Sequence, residues 1–189
     1  MSALQEWVDT EFTGRDFRDE DLSRLSTDRV LFTECDFSGV NLGESQHRGS
    51  AFRNCSFRRT TLWHSTFAQC SMLGSVFLDC RFRPVTFDEV DFTLAALGGN
   101  DLRGVDLSGC RLREASLVET DLRKAVLRGA DLSGARTTGT RLDDADLRGA
   151  TVDPSLWTTA SLTGVRVDVP QAMAFALAHG LCLDGGLDA

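Results

Sequence analysis

The side chains that most often carry out chemistry are sparse in this chain of 189 residues, which has three histidines and six cysteines. His47 and His64 are candidate bases, but neither is accompanied by a nucleophile or a carboxylate in a recognisable motif. The cysteines form no CxxC pair and no spacing typical of a zinc site. The sequence therefore predicts that the protein is not an enzyme and holds no metal or cofactor.

Carboxylates are the chemical groups present in excess. The chain has 28 acidic residues against 20 lysines and arginines, a formal net charge of −8. Residues 1–40 contain ten acids and four arginines and form an acidic end, whereas residues 41–80 contain two acids and four arginines. Direct binding of DNA or RNA fits such a chain poorly. An acidic surface can instead present carboxylates to a protein that normally binds phosphates.

The elements that position these groups are predicted by a hydrophobic period of five. Every fifth residue from Trp7 to Val167 falls in one phase, and 30 of these 33 positions are apolar, the exceptions being Thr27, His47 and Thr137. Neither the 3.6-residue period of a helix nor the two-residue period of a strand explains this pattern. A short repeat sustained over most of a chain predicts identical units that stack into a solenoid.

The repeat unit resembles that of a known family. Residues 130–134 (ADLSG) and 145–149 (ADLRG) match the A(D/N)LxG unit of the pentapeptide-repeat proteins. The resemblance implies an all-β solenoid, a right-handed quadrilateral β-helix with about 20 residues per coil, followed here by a short C-terminal α-helix. Residues 10–169 would then form about eight coils, and at about 4.8 Å per coil the rod would be roughly 38 Å long.

The position two residues before each apolar centre is nearly always small, which predicts a narrow, closely packed interior. Five of the six cysteines occupy this position, and we expect them to be buried thiols. Cys35 and Cys55 would stack on adjacent coils, close enough for a disulfide bond under oxidising conditions. We expect no bond between them in a reducing compartment.

The resemblance also implies a function. Residues 11–22 (EFTGRDFRDEDL), 62–67 (LWHSTF) and 98–103 (GGNDLR) are similar to the branch of the family that binds bacterial DNA gyrase and reduces sensitivity to fluoroquinolones. This implies a protein that imitates a DNA segment, inhibits or modulates gyrase, and protects it from the drugs. DNA gyrase is thus the implied partner, with no direct contact to nucleic acid.

Imitation of DNA cannot depend on total charge, because a duplex of about 38 Å carries about 22 negative charges. It must depend on particular rows of carboxylates, and side chains 20 or 40 residues apart lie in one row. The candidate gyrase contacts are Asp16, Asp19, Glu20, Asp21 and Asp36 at the acidic end, and Asp101, Asp106, Asp121 and Asp146 further along.

A short helix is predicted after the repeat, with Pro170 in its first turn and Gly180 at its end. The helix is apolar on most sides, so we expect it to cover the last coil and also to pair with a second copy. The resemblance likewise implies a homodimer formed through this helix. The predicted interface residues are Met173, Phe175, Ala176, Leu177 and Leu181.

The chain is therefore predicted to be one domain, with an N-terminal cap at residues 1–9, the β-helix at 10–169, and the helix and tail at 170–189. Leu4 and Trp7 are expected to shield the first coil. Nothing in the sequence reaches the length of a membrane span, and residues 1–9 lack the features of a signal peptide. We expect a cytoplasmic protein with no membrane partner.

A second class of function stays open at this point. Leu73, Val76, Leu78 and Leu94 are predicted to point outward near the fourth coil, where they could form an apolar patch. The protein would then be a structural or adaptor solenoid that docks a protein partner unrelated to nucleic acid. The effect of ionic strength on binding separates the two classes, because charged contacts weaken with salt and apolar contacts do not.

Overall fold

The computed structural model describes residues 5–182 and shows a β-solenoid that ends in a helix. The elements in this part of the chain are β1 Glu6–Val8, β2 Glu11–Thr13, β3 Ser26–Asp28, β4 Leu31–Thr33, β5 Gln46–Arg48, β6 Ala51–Arg53, β7 Ser56–Arg58, β8 Thr66–Ala68, β9 Val76–Leu78, β10 Thr86–Asp88, α1 Leu156–Thr159 and α2 Val169–Ala178.

Neighbouring coils pair in parallel with a register of 20 residues. Glu6 in β1 pairs with Ser26 in β3, which pairs with Gln46 in β5. Beyond β10 the pairing continues as single bridges, the last of which joins Asp146 to Arg166. The register runs from residue 6 to residue 166, which is 160 residues and thus eight coils of 20. The predicted 20-residue coil is confirmed.

Four sets of pairs run along the rod and define four faces. Face A contains β1, β3, β5, β8 and β10, face B contains β2, β4 and β6, and face C contains β7 and β9. Face D is held by single bridges such as that between Asp21 and Asn41. Each face takes five residues of a 20-residue coil, which is why the apolar period is five. Residues 20 apart therefore occupy the same place on successive coils.

The apolar centres fill the interior of the rod as stacked columns. The rings of Phe32 and Phe52 stack at 4.7 Å on face B, and those of Phe37 and Phe57 stack at 5.0 Å on face C. All four side chains are fully buried. Because aromatic rings stacked in register bury large apolar areas, these columns hold successive coils together.

The small inward positions contain the cysteines, which are free thiols in this structure. Burial raises the pKa of Cys55 to about 12 and that of Cys70 to about 11. A buried thiol that resists ionisation is a poor nucleophile. The buried members of the set are Cys35, Cys55, Cys70, Cys80 and Cys110, and Cys182 is exposed.

The β-helix begins earlier than the sequence predicts. Pairing starts at Glu6, so residues 6–9 belong to the first coil and not to a separate cap. The ring of Trp7 lies 5.0 Å from that of Phe12 and 5.8 Å from that of Phe17. Trp7 thus covers the N-terminal end of the aromatic columns, whereas Leu4 lies outside the described residues.

The last coil departs from the repeat because α1 replaces the strand of face C. Trp157 stays buried there although it lies in a helical turn. The hydroxyl of Thr159 is 3.0 Å from that of Thr137, one of the three polar centres. The sequence period could not reveal this helix, since Trp157 and Leu162 keep the phase of five.

Helix α2 is fastened to the last coil at its N-terminus. The Asp168 carboxylate accepts a hydrogen bond from the Gln171 N–H at 3.0 Å, and the Gln171 side chain accepts one from the Asp168 N–H at 3.0 Å. Gln171 Nε2 also donates to the carbonyl oxygens of Leu147 and Ala150, at 2.6 and 2.8 Å. This capping box fixes where the helix leaves the rod. Within residues 5–182, no helix has the length and apolar character that crossing a membrane requires.

Candidate interaction surfaces

His47, one of the two candidate bases, is enclosed between coils. Its Nδ1 lies 2.8 Å from Thr27 Oγ1, its Nε2 lies 2.9 Å from Ser45 Oγ, and its ring stacks on Phe67 at 4.6 Å. Burial lowers its pKa to about 3, so the ring is neutral near pH 7. These contacts give His47 a packing role. His64 is exposed, with its ring 4.1 Å from that of Trp63. In the described part of the chain, no three His, Cys, Asp or Glu side chains are grouped to hold a metal ion.

Asp101 and Asp121 stack on face D as predicted, but arginines compensate both carboxylates. Arg103 binds Asp101 through Nε at 2.9 Å and Nη2 at 2.7 Å, and Arg123 binds Asp121 in the same way. Arg83 adds a contact of 2.8 Å to Asp101. The hydrogen bonds from Arg103 hold the pKa of Asp101 at about 2, and those from Arg123 lower the pKa of Asp121. Both groups stay ionised, but their charge is largely balanced locally.

Asp146 is buried, with 4% of its surface exposed. Arg148 binds its carboxylate through Nε at 2.9 Å and Nη2 at 2.7 Å, and Arg128 Nε lies 2.7 Å away. These contacts, those of Arg148 first, hold the pKa of Asp146 far below its usual value. A partner cannot reach this carboxylate without displacing both arginines. Asp106, two coils earlier on face A, is exposed and accepts a hydrogen bond from the Ser108 N–H at 2.9 Å.

The acidic end contains both compensated and uncompensated carboxylates. Arg18 binds Asp16 through Nε at 2.9 Å and Nη2 at 2.6 Å, and this holds the pKa of Asp16 at about 2. Asp36 lies 3.8 Å from Arg18 Nε. Asp21 accepts from Asn41 Nδ2 at 3.0 Å. Asp19 and Glu20 form no ion pair within residues 5–182.

Sequence reasoning named Asp106 as a candidate contact but missed the other uncompensated carboxylates on faces A and B. Except for Asp168, which follows Arg166 by two residues, they lie within two residues of an apolar centre and have no arginine two residues away, a signal that the sequence does contain. Burial, with a smaller contribution from the charges of Asp106 and Asp88, raises the pKa of Cys110 to about 11. The acids of these two faces and their corners that form no ion pair among the described residues are Glu6, Glu11, Glu34, Asp88, Glu89, Asp106, Glu114, Asp144, Asp153 and Asp168.

The outer surface of α2 is apolar. Val169, Met173 and Leu177 recur every four residues and form one exposed stripe. The predicted interface residues divide into Met173, Phe175, Leu177 and Leu181, which are exposed, and Ala176, which is half-buried. The ring of Phe175 also packs 6.1 Å from that of Trp157, so this residue contributes to the attachment of the helix.

The apolar patch proposed near the fourth coil is present in part. Val76, Leu78 and Leu94 are exposed, and Leu73 is half-buried. Val76 and Leu78 lie on face C, and Leu94 lies at the corner between faces B and C one coil later. Among residues 5–182, the patch and α2 contain most of the exposed large apolar side chains.

Comparisons with known proteins agree with this architecture. The family described as pentapeptide repeats matches residues 91–129 and 125–153, and a second description of such repeats matches residues 32–76. The chain is 84% identical over 183 residues to the pentapeptide repeat protein MfpA of Mycobacterium tuberculosis, covering 97% of this chain and 100% of that protein. It is 76% identical over 59 residues to MfpA of Mycolicibacterium smegmatis, or 31% of each chain. Trypsin-treated QnrB1, described as a plasmid-mediated fluoroquinolone resistance protein, superposes with a TM-score of 0.51 over 95% of this chain and 100% of its own at 21% identity, which shows a shared fold.

Proposed function

Because this chain belongs to the family of pentapeptide repeat proteins, we propose that it binds bacterial DNA gyrase by imitating a DNA segment and protects the enzyme from fluoroquinolones. The resemblance of its repeats to the gyrase-binding branch supports this function, as does the fluoroquinolone resistance ascribed to QnrB1. The observation that carries the proposal is the set of uncompensated carboxylates on the adjoining faces A and B. Gyrase is the partner, and no catalysis, cofactor or membrane is involved. The protein acts in the cytoplasm.

We define the proposed contact surface by the carboxylates that form no ion pair with an arginine. A cationic groove that binds phosphates is attracted to acids whose charge is not already balanced. Asp88, Glu89 and Asp106 meet this condition in the middle of faces A and B, and Glu6 and Glu11 meet it at the acidic end. The other candidates at that end, Asp16, Asp19, Glu20, Asp21 and Asp36, lie on faces C and D and the corner between them, and they form a second part of the proposed surface, in which Arg18 already balances Asp16. Asp101 and Asp121 contribute less because arginines bind them, and Asp146 is left out because it is buried.

A pair of charge-matched variants tests this surface. We expect Asp88→Asn, Glu89→Gln and Asp106→Asn together to weaken inhibition of gyrase supercoiling by about tenfold or more, because neutralised acids lose their attraction to cationic side chains. The control combines Asp79→Asn, Glu119→Gln and Asp143→Asn, which remove the same charge from face D and from its corner with face C, where no gyrase contact is proposed. We expect it to have the smaller effect.

The assay should be run with and without a fluoroquinolone and at two salt concentrations. Inhibition or drug protection by the wild-type protein that weakens with salt is expected. If the wild-type protein neither inhibits nor protects at low salt, the gyrase function is wrong. If it does so but both triple variants behave alike, the function stands and the assignment to faces A and B is wrong.

The protein is proposed to act as a homodimer through α2, which doubles the length of the imitated segment. Met173→Ser with Leu177→Ser removes two members of the exposed stripe while leaving the contact between Phe175 and Trp157 in place. We expect this variant to have half the wild-type mass by light scattering, because burial of the stripe stabilises the dimer. Val8→Ser, at the opposite end of the rod, is the control. A wild-type monomer, or a variant that stays dimeric, would contradict the proposed interface.

A further inference from the structure

Face C is uncharged over three successive coils. One quarter of the chain is charged, yet six consecutive outward positions on this face carry no charge. The bridges from Val76 to Ala96 and from Ala96 to Ser116 place these positions in register. The six residues are Val76, Leu78, Ala96, Gly98, Ser116 and Val118.

The uncharged strip is also apolar and shallowly recessed. Val76, Leu78 and the adjacent corner residue Leu94 are 38%, 40% and 54% exposed. Gly98 lies between Leu78 and Val118, and a Cβ there would come within 3.0 Å of the Val118 carbonyl oxygen. The strip therefore has raised apolar side chains beside a low glycine surface. Single exposed apolar residues need no explanation, but a contiguous group on one face is typical of a docking site.

Arginines without a carboxylate partner border this strip on its N-terminal side. Arg58 pairs in register with Leu78, and the Arg59 N–H donates to the Leu78 carbonyl at 2.8 Å. Both side chains are exposed, and neither forms an ion pair with any described residue. Among the described residues, 11 of the 19 arginines form an ion pair with a carboxylate of their own coil or of a neighbouring coil. Arginines that do not, and that stand beside an apolar strip, are available to a carboxylate of another molecule.

We propose that face C, from Arg58 to Val118, docks a segment of a partner protein in which apolar side chains adjoin carboxylates. The apolar side chains would cover Val76 and Leu78, and the carboxylates would meet Arg58 and Arg59. The three coils span about 14 Å, which suits a short extended or helical segment. A membrane or a nucleic acid fits less well, because Asp79, Glu114 and Glu119 flank the strip at its corners and would repel anionic surfaces.

This surface is independent of the proposed gyrase contacts. Face C lies opposite face A, and its strip contains no carboxylate that could imitate a phosphate. Val76→Ser with Leu78→Ser is therefore expected to inhibit gyrase as the wild-type protein does. The gyrase assay therefore does not test the docking strip, which needs a separate binding experiment.

A selection from a random 12-residue peptide library displayed on phage, carried out on the purified full-length protein, tests the proposal without a known partner. The enriched peptides are expected to combine Leu, Ile or Phe with Asp or Glu. The most enriched peptide, labelled for fluorescence anisotropy, should bind about tenfold more weakly to Val76→Ser with Leu78→Ser, as for loss of apolar anchors at an interface. Binding to Arg58→Gln with Arg59→Gln should be about threefold to tenfold weaker, and Arg48→Gln, in the same coil on face A, should bind as the wild type does.

Several outcomes would overturn the proposal. Enriched peptides without acidic residues, or peptides that bind both paired variants as tightly as the wild type, would exclude this docking chemistry. Binding to phosphatidylglycerol vesicles that is lost in Val76→Ser with Leu78→Ser would assign the strip to a lipid surface. A change in the mass of that variant by light scattering would assign the strip to a second copy. The arginine variant keeps the test decisive if the apolar variant does not fold.

Discussion

His47 shows how a narrow apolar interior accommodates a polar side chain. It occupies a centre position between Thr27 and Phe67 on face A, and two hydroxyl groups satisfy its ring nitrogens. Ser50 extends the network, with its Oγ 2.9 Å from Thr27 Oγ1. Buried polar groups are tolerated when they are hydrogen-bonded. Because Thr27 and His47 stack on adjacent coils, they bond to each other within a single polar region of the core.

The burial of His47 makes stability depend on pH. Its pKa is lowered from about 6.5 when unfolded to about 3 in the fold. Below pH 6.5 the unfolded chain binds a proton at this histidine that the folded chain does not bind. The free energy of unfolding is therefore unaffected by protonation of His47 above pH 6.5. It decreases as the pH falls from 6.5 towards 3, by up to about 1.4 kcal/mol per pH unit. We expect His47→Phe to flatten this slope, with urea midpoints measured from pH 7.5 to 4.5. Carboxylates act on both proteins, so the difference between them isolates the histidine. Parallel pH profiles would contradict this account.

The pairs of aspartate and arginine on one face have a spacing that is visible in the sequence but was not used in its analysis. Asp16, Asp101, Asp121 and Asp146 each precede an arginine by two residues, with the buried centre between them. On one face these two positions point outward on either side of the centre, which allows the bidentate contact at 2.6–2.9 Å seen in all four cases. Spacing by coil identified the rows correctly. The Asp-x-Arg spacing, read as well, would have identified which rows were already compensated.

At the scale of elements, the corners of the coil explain the placement of glycine. The residue two after a centre adopts a positive φ at most corners, whether it is Gly109 at 66° or Lys124 at 60°. The exceptions are Pro84, Pro154 and the helical residues Thr159 and Val169. This conformation costs a residue with a side chain about 1–2 kcal/mol relative to the right-handed region. The fold accepts that cost at many corners because the stacked coils on either side determine the backbone.

Gly109→Ala tests this account of the corners. Nothing lies within 4 Å of an added Cβ at Gly109, so the substitution changes conformational preference without a clash. We expect a loss of about 1 kcal/mol in the free energy of unfolding. The left-handed conformation of alanine destabilises the folded state, and the lower entropy of the unfolded alanine chain offsets part of this loss. Lys124→Ala, at a corner that already has a side chain, should change stability by less than about 0.5 kcal/mol. Equal urea midpoints for the two variants would show that the corners are not strained.

The two helices mark the limit of what the period could predict. Helix α2 has local signals, with Asp168 as N-cap, Pro170 in the first turn and Gly180 at the end, and it was predicted within a residue of its start. Helix α1 has none, because Trp157 and the following centre Leu162 keep the five-residue phase, and only the apolar Leu156 at an outward position departs from the pattern. The start of the β-helix at Glu6 was missed for a related reason. Residues 6–9 contain only one centre, and it is the next coil that pairs with them.

At the scale of the whole molecule, the chain follows two periods. The period of five places apolar side chains inward, and it is visible in the sequence because burial demands it. The period of 20 determines which side chains meet on adjacent coils, and it appears only where charge pairs or polar centres repeat. The period of five was therefore enough to predict a solenoid, and the family resemblance supplied the 20-residue coil, whereas the compensated and free carboxylates required the structure.

Deletions that respect one or both periods separate their contributions. Removing residues 101–120 takes out one coil and keeps both periods, so Arg81 and Arg83 would lie beside Asp121 and Arg123 as they now lie beside Asp101 and Arg103. Removing residues 101–110 keeps the period of five but places face D against face B. Removing residues 101–108 breaks both periods.

In a solenoid, stability is the sum of unit and nearest-neighbour terms. We expect the 20-residue deletion to unfold cooperatively, the ten-residue deletion to have a lower urea midpoint although its chain is longer, and the eight-residue deletion to lose cooperative unfolding. A ten-residue deletion more stable than the 20-residue one would show that the core phase alone holds the rod together, and that the arginine–aspartate columns of its surface add nothing to its stability.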